Sequence, residues 1–433
     1  MTVSASIRPA LAPLTLAAVL GSAAGAAASG FTLTTLLHHS GAAPGAIALL
    51  GVLAQGAMVS ALPTALLLRR LDHRRATLLI LSIAYGCLLP LALVAAFAPS
   101  GPWLVLGVLT LWAMHTSMGA GCVGPANAWF RHLIPGRIQG SYLGWRSGIG
   151  LAMAAVATPI AGWLLEVGPA GRLVPALLLV MGALLAVADL LVLTRAPMPL
   201  RCQSVSAVTP PLRELFRSRG VWMPALAALL SSTGRLLVAP FFVLICFACG
   251  LGPAMTALIT AASMLAGAVG LAWGGRLADR GDPRQLLALM AAGGLPVLAL
   301  TTVLVGCAHV LPVHVVAAGF LVLGIAGELL AGRGAAALTK LQFALAPAGS
   351  STSFAAQESL RASGALVLGL VTTGVGSVLV TFEAPMQAWL PGFSWPLGVM
   401  VLATAFGCLA CWPLRRWLTL PQSAGPPRSA LAA

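Results

Sequence analysis

The feature that most constrains this chain is a succession of apolar runs, each long enough to cross a lipid bilayer. A membrane helix needs about 20 predominantly apolar residues, and short polar connections separate the runs. The runs lie at about 10–36, 45–68, 76–98, 103–128, 143–166, 172–194, 221–247, 255–273, 285–308, 313–336, 353–381 and 395–414. This pattern predicts an all-α polytopic membrane protein with twelve transmembrane helices.

The composition indicates that lipid is the surrounding solvent. Of the 433 residues, 59% are hydrophobic and only 8% are charged, whereas about 25% of the residues in a soluble protein are charged. The formal net charge of +15 would suit nucleic acid, but the basic residues form short clusters between apolar runs. We therefore expect no nucleic-acid partner, and we expect these clusters to contact anionic lipid headgroups.

The basic residues fall on alternate connections. The connections at 38–44, 99–102, 167–171, 248–254, 309–312 and 382–394 contain no Lys or Arg, although Arg172 lies at one margin. The other connections contain Arg69, Arg70, Arg74, Arg75, Arg131, Arg137, Arg195, Arg201, Arg213, Arg217, Arg219, Arg276, Arg280, Arg284, Lys340, Arg415 and Arg416. Since cytoplasmic loops carry the excess of Lys and Arg, we expect a multi-pass protein of the plasma (inner) membrane with both termini in the cytoplasm.

The longest connection divides the chain into two halves. It is polar, basic and rich in proline, which is typical of a linker. We expect an N-terminal six-helix bundle at 1–194, a cytoplasmic linker at 195–220, a C-terminal six-helix bundle at 221–418 and a cytoplasmic tail at 419–433. The linker is too short for a nucleotide-binding domain, and no Gly-x-x-x-x-Gly-Lys-Ser/Thr loop occurs in the chain.

The cysteines indicate packing rather than chemistry. Two Cys-x-x-Cys pairs occur, at Cys246/Cys249 and Cys408/Cys411, and neither has a His or acidic residue nearby. We expect no metal site and no cofactor. No His-Glu-x-x-His or paired acidic motif appears, so an enzyme is the least favoured class.

A cluster of charged residues lies between the eighth and ninth runs, at 274–284. Its sequence is Gly-Gly-Arg-Leu-Ala-Asp-Arg-Gly-Asp-Pro-Arg. It resembles the signature loop of the major facilitator superfamily, Gly-x-x-x-Asp-Arg-x-Gly-Arg-Lys. The matching residues are Gly275, Asp279, Arg280 and Arg284. Asp282 and Pro283 depart from the pattern. The resemblance implies a transporter built from two pseudo-symmetric bundles of six helices.

An internal repeat is consistent with that architecture. Before the fifth run, Tyr142 follows Pro135 by seven residues, and before the eleventh run Phe354 follows Pro347 by seven residues. The first run, which starts after Arg8, could instead be a cleavable secretory signal. The repeat favours an uncleaved first helix, because the second half has a counterpart to it.

Charged residues inside apolar runs are costly, at roughly 2.5–3.5 kcal/mol each near the bilayer centre, and are functional candidates. The resemblance implies that the first, fourth, seventh and tenth helices line a central cavity. Arg235, Glu328 and His115, with Trp112 beside His115, would form a substrate and coupling site there. Alternatively, Arg235 and Glu328 form an ion pair that docks helices, and His115 bonds a backbone carbonyl. We expect Asp189, close to Arg195, to reach the cytoplasmic edge.

A second group lies at the predicted cytoplasmic ends of helices. Arg146 and Glu358 occupy equivalent places, each eleven residues after its matched proline, and their opposite charges suggest a salt-bridged gate. Ordinary anchoring of basic residues is the alternative. The resemblance implies that Asp279 and Arg280 contact nearby helix ends. The predicted gate comprises Gly275, Asp279, Arg280, Arg284, Arg146, Glu358 and Arg361, with Arg333 and Lys340 beside it.

These features together predict a monomeric secondary active transporter. It would move a small organic solute by alternating access, with protons as the coupling ion, since Glu328 can titrate. The alternative is a non-transporting assembly factor or receptor on the same scaffold. In its favour, the first-half counterpart of the signature loop is degraded, with Leu66 in place of Gly275 and Arg70 in place of Asp279. The solute and the direction of transport stay open.

Overall fold

A computed structural model describes residues 8–135, 138–167, 171–197, 212–345, 351–389 and 394–419. Within these ranges all regular structure is helical. Twelve helices are long and apolar enough to cross a membrane. They are α1 (Leu11–His39), α2 (Pro44–Leu67), α3 (His73–Phe97), α4 (Pro102–Arg131), α5 (Gln139–Val167), α6 (Leu173–Leu193), α7 (Gly220–Ala248), α8 (Pro253–Arg280), α9 (Pro283–Cys307), α10 (Val313–Phe343), α11 (Ser351–Glu383) and α12 (Trp395–Pro413).

The predicted all-α, twelve-helix, multi-pass membrane architecture is therefore confirmed. Several predicted features fall on residues outside the described ranges. These are most of the linker, the tail after Thr419, and Pro347 of the repeat. The described part of the linker includes a short helix, Leu212–Arg217.

Prolines explain where several spans are interrupted. A proline lacks the N–H group that would bond the carbonyl four residues earlier. In α3 the first helical segment ends at Gly86, four residues before Pro90. In α4 it ends at Gly121, four residues before Pro125. In α7 the helix stops at Val238 and resumes at Phe242, on either side of Pro240.

The helices pack as two sets of six. In the first set α1 packs on α5 and α6, α3 on α4 and α6, and α2 on α4. In the second set α7 packs on α11 and α12, α9 on α10 and α12, and α8 on α10. The main contacts between the sets are α5 with α8 and α2 with α11. Helices α5 and α8 are the counterparts of α11 and α2 in the other half. The two contacts are therefore equivalent, as expected for two halves related by a pseudo-two-fold axis.

The α5–α8 contact is so close that the two backbones touch. A Cβ atom added at Gly144 would lie 2.4 Å from the Leu271 carbonyl oxygen, and one at Gly148 would lie 2.9 Å from that of Ala268. Small residues allow membrane helices to pack at this distance. Gly144 and Gly148, one helical turn apart, therefore lie in the main interface between the halves.

The outer surface is apolar, as contact with lipid requires. On α6 the large residues Leu177, Leu184 and Leu191, spaced by seven, are 55%, 60% and 61% exposed. Water would make such a stripe unfavourable, at roughly 25 cal/mol for each Å² of apolar area. Hydrocarbon removes that cost, so this surface suits contact with lipid.

Candidate functional site

A cavity of about 790 Å³ lies mainly within the first helix set. Its wall is formed by α1, α3, α4, α5 and α6, and α8 of the second set closes one side through Thr260, Met264 and Leu271. Most of the lining residues are small or apolar, and the only charged ones are Arg146 and Asp189. The cavity therefore combines an apolar wall with two opposite charges.

Asp189 is buried on the cavity side of α6, with only 4% of the residue exposed. The Tyr85 hydroxyl donates to its Oδ2 at 2.6 Å. Its Oδ1 has no hydrogen-bond partner among the described residues. A buried carboxylate oxygen without a partner is costly, so this oxygen can still accept a hydrogen bond.

The expectation that Asp189 reaches the cytoplasmic edge beside Arg195 is therefore wrong. Asp189 lies on the buried face of α6 with Gly182, Ala186 and Leu193, whereas Arg195 is exposed. The 3.6-residue period places positions 182, 186, 189 and 193 on one side of the helix. The small residues at 182 and 186 were the sequence signal that this face packs inward.

Arg146 lies on the α5 side of the same cavity. Its Nε donates to the Leu14 carbonyl oxygen at 2.9 Å, and its guanidinium carbon lies 4.8 Å from the centre of the Phe130 ring. A cation over an aromatic face is favourable. These two contacts anchor the Arg146 side chain to α1 and α4.

A second cavity, of about 430 Å³, adjoins the first and lies between the two helix sets. The two cavities share Val123, Asn127, Phe130, Arg146, Ser147 and Leu271. The second one extends to Lys340 and Glu358. It therefore continues the first cavity toward the end of the molecule that carries Arg69, Arg70, Arg276 and Arg280, which we call the basic end.

Asp279 joins α8 to α5 at the basic end. Its Oδ1 accepts from the Gly140 backbone N–H at 3.1 Å and from Lys340 Nζ at 2.8 Å. Its Oδ2 accepts from the Ser141 backbone N–H at 2.7 Å and from Ser141 Oγ at 2.6 Å. We call these four residues the Asp279 clamp.

Helix physics explains why a carboxylate sits there. Gly140 and Ser141 are in the first turn of α5, where backbone N–H groups have no partner within the helix and the helix dipole favours a negative charge. Lys340, from α10, adds a positive charge. The Asp279 side chain is only 8% exposed, so the contacts are largely shielded from water.

The other predicted residues of the signature loop have different surroundings. Gly275 lies against α5, and a Cβ there would be 2.4 Å from the Gly140 carbonyl oxygen. Arg280 is exposed. The Arg284 backbone N–H donates to Asp282 Oδ1 at 2.9 Å. Asp282 and Pro283, which depart from the family pattern, are the N-cap and first residue of α9, where both residue types are favoured.

The predicted Arg146–Glu358 gate does not form a pair in this structure. Glu358 lines the second cavity, but it accepts from Gln342 Nε2 at 2.6 Å and from Arg361 Nε at 2.8 Å. Arg361 is one helical turn away on the same helix. Glu358 therefore links α11 to α10, both in the second set, whereas Arg146 is held within the first set.

Arg235 and Glu328 form an ion pair between α7 and α10, with Arg235 Nη2 2.6 Å from Glu328 Oε1. The Arg235 side chain is 57% exposed. Trp112 and His115 stack in α4, with ring centres 5.5 Å apart. Trp112 Nε1 donates to the Leu50 carbonyl oxygen at 2.9 Å, and His115 Nδ1 lies 2.8 Å from the Ala84 oxygen. None of these four residues lines either cavity.

An apolar contact joins the two helix sets at the other end of the molecule, and sequence reasoning missed it. Phe241 is fully buried there. A Cβ at Gly51 of α2 would lie 2.7 Å from Pro240 Cα, and the rings of His38 and Phe247 are 5.2 Å apart. The break at Pro240 places these α7 residues against α1 and α2. The two helix sets thus meet through a polar contact at the basic end and through an apolar contact at the other end.

No cluster of three or more His, Cys, Asp or Glu side chains suited to a metal ion occurs within the described ranges. The Cys-x-x-Cys pairs therefore have no ligand partners in that part of the chain.

Comparison with solved structures gives the same architecture. A proton:xylose symporter of the major facilitator superfamily, with 6-bromo-6-deoxy-D-glucose bound, superimposes with a TM-score of 0.66 and 13% identity, covering 96% of each chain. A bacterial homologue of the iron transporter ferroportin, in an outward-facing state, gives 0.65 and 14%, covering 95% of this chain and 100% of that one. The E. coli fucose:proton symporter gives 0.59 and 14%, covering 94% and 98%.

These identities are low, so the structural matches speak for the fold alone. A search of curated proteins found no significant match. The family model described as Major Facilitator Superfamily matches residues 14–367, which is most of the chain and includes the signature loop. With the twelve helices and the pseudo-symmetric packing, this match shows that the chain belongs to the Major Facilitator Superfamily.

Proposed function

We propose that this protein is a secondary active transporter that moves a small organic solute across the plasma (inner) membrane by alternating access. The observation that carries the proposal is the Asp279 clamp, which joins the two helix sets at the basic end through contacts that can form and break without any covalent step. In this proposal the basic end faces the cytoplasm, both termini are cytoplasmic, anionic lipids contact the basic loops, and the protein works as a monomer without a cofactor or enzymatic activity.

The contacts between the two helix sets at the two ends of the molecule give alternating access a physical basis. Opening the basic end would break charge-assisted hydrogen bonds at the clamp, and opening the other end would expose the apolar contact around Phe241. Each opening costs free energy. A solute in the cavity shifts the equilibrium between the two states only if it binds them with different affinities. The halves would rock about the close α5–α8 and α2–α11 contacts.

We propose that protons drive the cycle through Glu328. The Arg235–Glu328 ion pair requires a charged carboxylate, and protonation of Glu328 would release Arg235 to hold an anionic or strongly polar group. The similar fold of two sugar:proton symporters supports a proton as the coupling ion. For Trp112 and His115, their bonds to backbone carbonyl oxygens support a role in positioning α4.

Transport by the purified protein in liposomes tests the proposal. An imposed pH gradient should drive solute accumulation. Glu328→Gln should abolish accumulation while solute exchange at equal pH persists, because exchange needs no net proton movement. The matched control is Glu383→Gln, which removes a carboxylate near the end of α11 that accepts from the Trp395 backbone N–H, whereas Glu328 pairs with Arg235.

Accumulation that is indifferent to the pH gradient would contradict proton coupling. Full pH-driven accumulation by Glu328→Gln would contradict the assignment of the proton to that residue. A protein that binds a partner protein but moves no solute would identify the alternative, an assembly factor or receptor.

A further inference from the structure

The larger cavity contains two opposite charges that do not pair with each other. Asp189 and Arg146 both line it, yet no ion pair within 4.0 Å joins them. Buried charges are normally paired, because an unpaired charge in a low-dielectric site is costly. Because both line the same cavity without contacting each other, a ligand there can offer a positive group to Asp189 and a negative group to Arg146.

Each charge is held apart from the other by its own neighbours. The Tyr85 hydroxyl holds Asp189 Oδ2, and Oδ1 stays without a partner among the described residues. The Leu14 carbonyl oxygen holds Arg146 Nε, and the Phe130 ring covers one face of the guanidinium. Neither side chain needs to be ordered further when a ligand arrives, which favours binding.

The lining around these charges selects the rest of the ligand. Most of it is apolar or small, with Trp129, Phe130, Leu151 and Met264 among the larger groups. The volume of about 790 Å³ is in the range of small-molecule sites. A ligand that fits needs an apolar body as well as its charged groups.

We infer that this cavity binds a zwitterionic organic solute, with an ammonium group at Asp189, a carboxylate or similar anion at Arg146, and an apolar body between the surrounding helices. A zwitterion provides a group of opposite charge for both residues, and the net charge of the occupied cavity stays zero. A solute with a single charge would leave either Asp189 or Arg146 without a partner. This inference rests on the proposed transport function, and it names the substrate class and a binding site separate from Arg235 and Glu328.

Ligand-induced thermal stabilisation of the purified full-length protein tests the inference. The probes are three apolar α-amino acids, leucine, methionine and phenylalanine. Two truncated forms of leucine serve as comparison: 3-methylbutylamine, which lacks the carboxylate, and 4-methylpentanoate, which lacks the amine. At equal concentrations the amino acids should raise the melting temperature, and the two truncated forms should not.

Two variants and one control locate the site. Asp189→Asn and Arg146→Gln should each weaken amino-acid binding by about 10-fold or more, the loss expected for one hydrogen bond to a charged group. The melting temperature of each variant without ligand reports whether it folds. Asp282→Asn makes the same chemical change outside the cavity and should leave amino-acid binding unchanged.

The possible results separate this inference from the proposed function. Equal stabilisation by 3-methylbutylamine or by 4-methylpentanoate would overturn the zwitterion assignment, as would the absence of stabilisation by all three amino acids. If another class of solute still accumulates in liposomes, transport stands without this inference. If amino acids bind through Asp189 but no solute crosses, the inference stands and the transport proposal fails.

Discussion

Replacing Asp279 with Asn perturbs the clamp at the basic end while keeping its shape. The carboxylate accepts four hydrogen bonds, two at each oxygen. An amide has a single acceptor oxygen, so at least two of these bonds are lost. Lys340 also loses its ion-pair partner, and the amide N–H₂ group faces backbone N–H donors at the start of α5. Closure of the basic end is therefore weakened.

The magnitude follows from burial. Removing one partner of a buried ion pair costs about 3–5 kcal/mol. The Lys340 side chain is 22% exposed, so water can solvate its charge and offset part of the loss. We expect the closed state to be destabilised by about 2–3 kcal/mol relative to the open state. Since each 1.4 kcal/mol is a factor of ten, the ratio of closed to open states should fall by about 30- to 150-fold.

Electron paramagnetic resonance distance measurements can detect this shift. Spin labels at Leu67 and Arg276, introduced as cysteines in a cysteine-free background, lie at the basic ends of α2 and α8, in different halves, and both positions are exposed. Asp279→Asn should move the distance distribution toward longer values. Solute turnover should fall more than solute affinity, because the cavities do not include Asp279.

Asp282→Asn is the matched control. It removes the same charge three residues away, but the Asp282 side chain caps its own helix α9 by accepting from the Arg284 backbone N–H. We expect its distance distribution and turnover to match those of the unmodified protein. If Asp279→Asn gives the same distances and turnover as Asp282→Asn, the clamp does not hold the halves together.

Two pairs of glycine substitutions test the packing. Gly275→Ala would place its Cβ 2.4 Å from a backbone oxygen of α5, so we expect a lower melting temperature. Its control, Gly294→Ala, meets nothing within 4 Å and should be neutral or stabilising by up to about 1 kcal/mol. Equal melting temperatures would contradict the close α5–α8 contact. Gly21→Ala would place its Cβ 3.1 Å from Asp189 Oδ2 and should weaken ligand binding in the cavity. Its control is Gly25→Ala, whose Cβ meets nothing within 4 Å, and its effect should be smaller. Equal affinities of the two variants in a binding assay would count against the position of Asp189.

The sequence predicted the membrane architecture because its causes are local. A span needs only a sufficient run of apolar residues, and the breaks in α3 and α4 follow from the missing N–H groups of Pro90 and Pro125. The importance of Asp279 was also visible, since the family resemblance named it. Its actual partners, the first turn of α5 and Lys340, were not, because they lie far away along the chain.

The charged residues inside the helices show where prediction from the sequence stopped. For Arg235 and Glu328, both an ion pair and a solute site were open, and the structure brings the two residues together. Arg146 and Glu358 occupy equivalent positions in the repeat, yet each takes a partner in its own half. Position along a helix does not determine which side chain across the interface lies within reach.

Apolar length, the placement of arginines and the signature loop were enough to determine from the sequence alone that this is a twelve-helix membrane protein of this fold. Only the tertiary structure decided that Asp189 faces a cavity and shares it with Arg146. The physical reason is that helix rotation and packing distance depend on all neighbouring helices at once. A helical period shows which residues share a face, but the packed neighbours determine whether that face meets lipid, protein or a cavity.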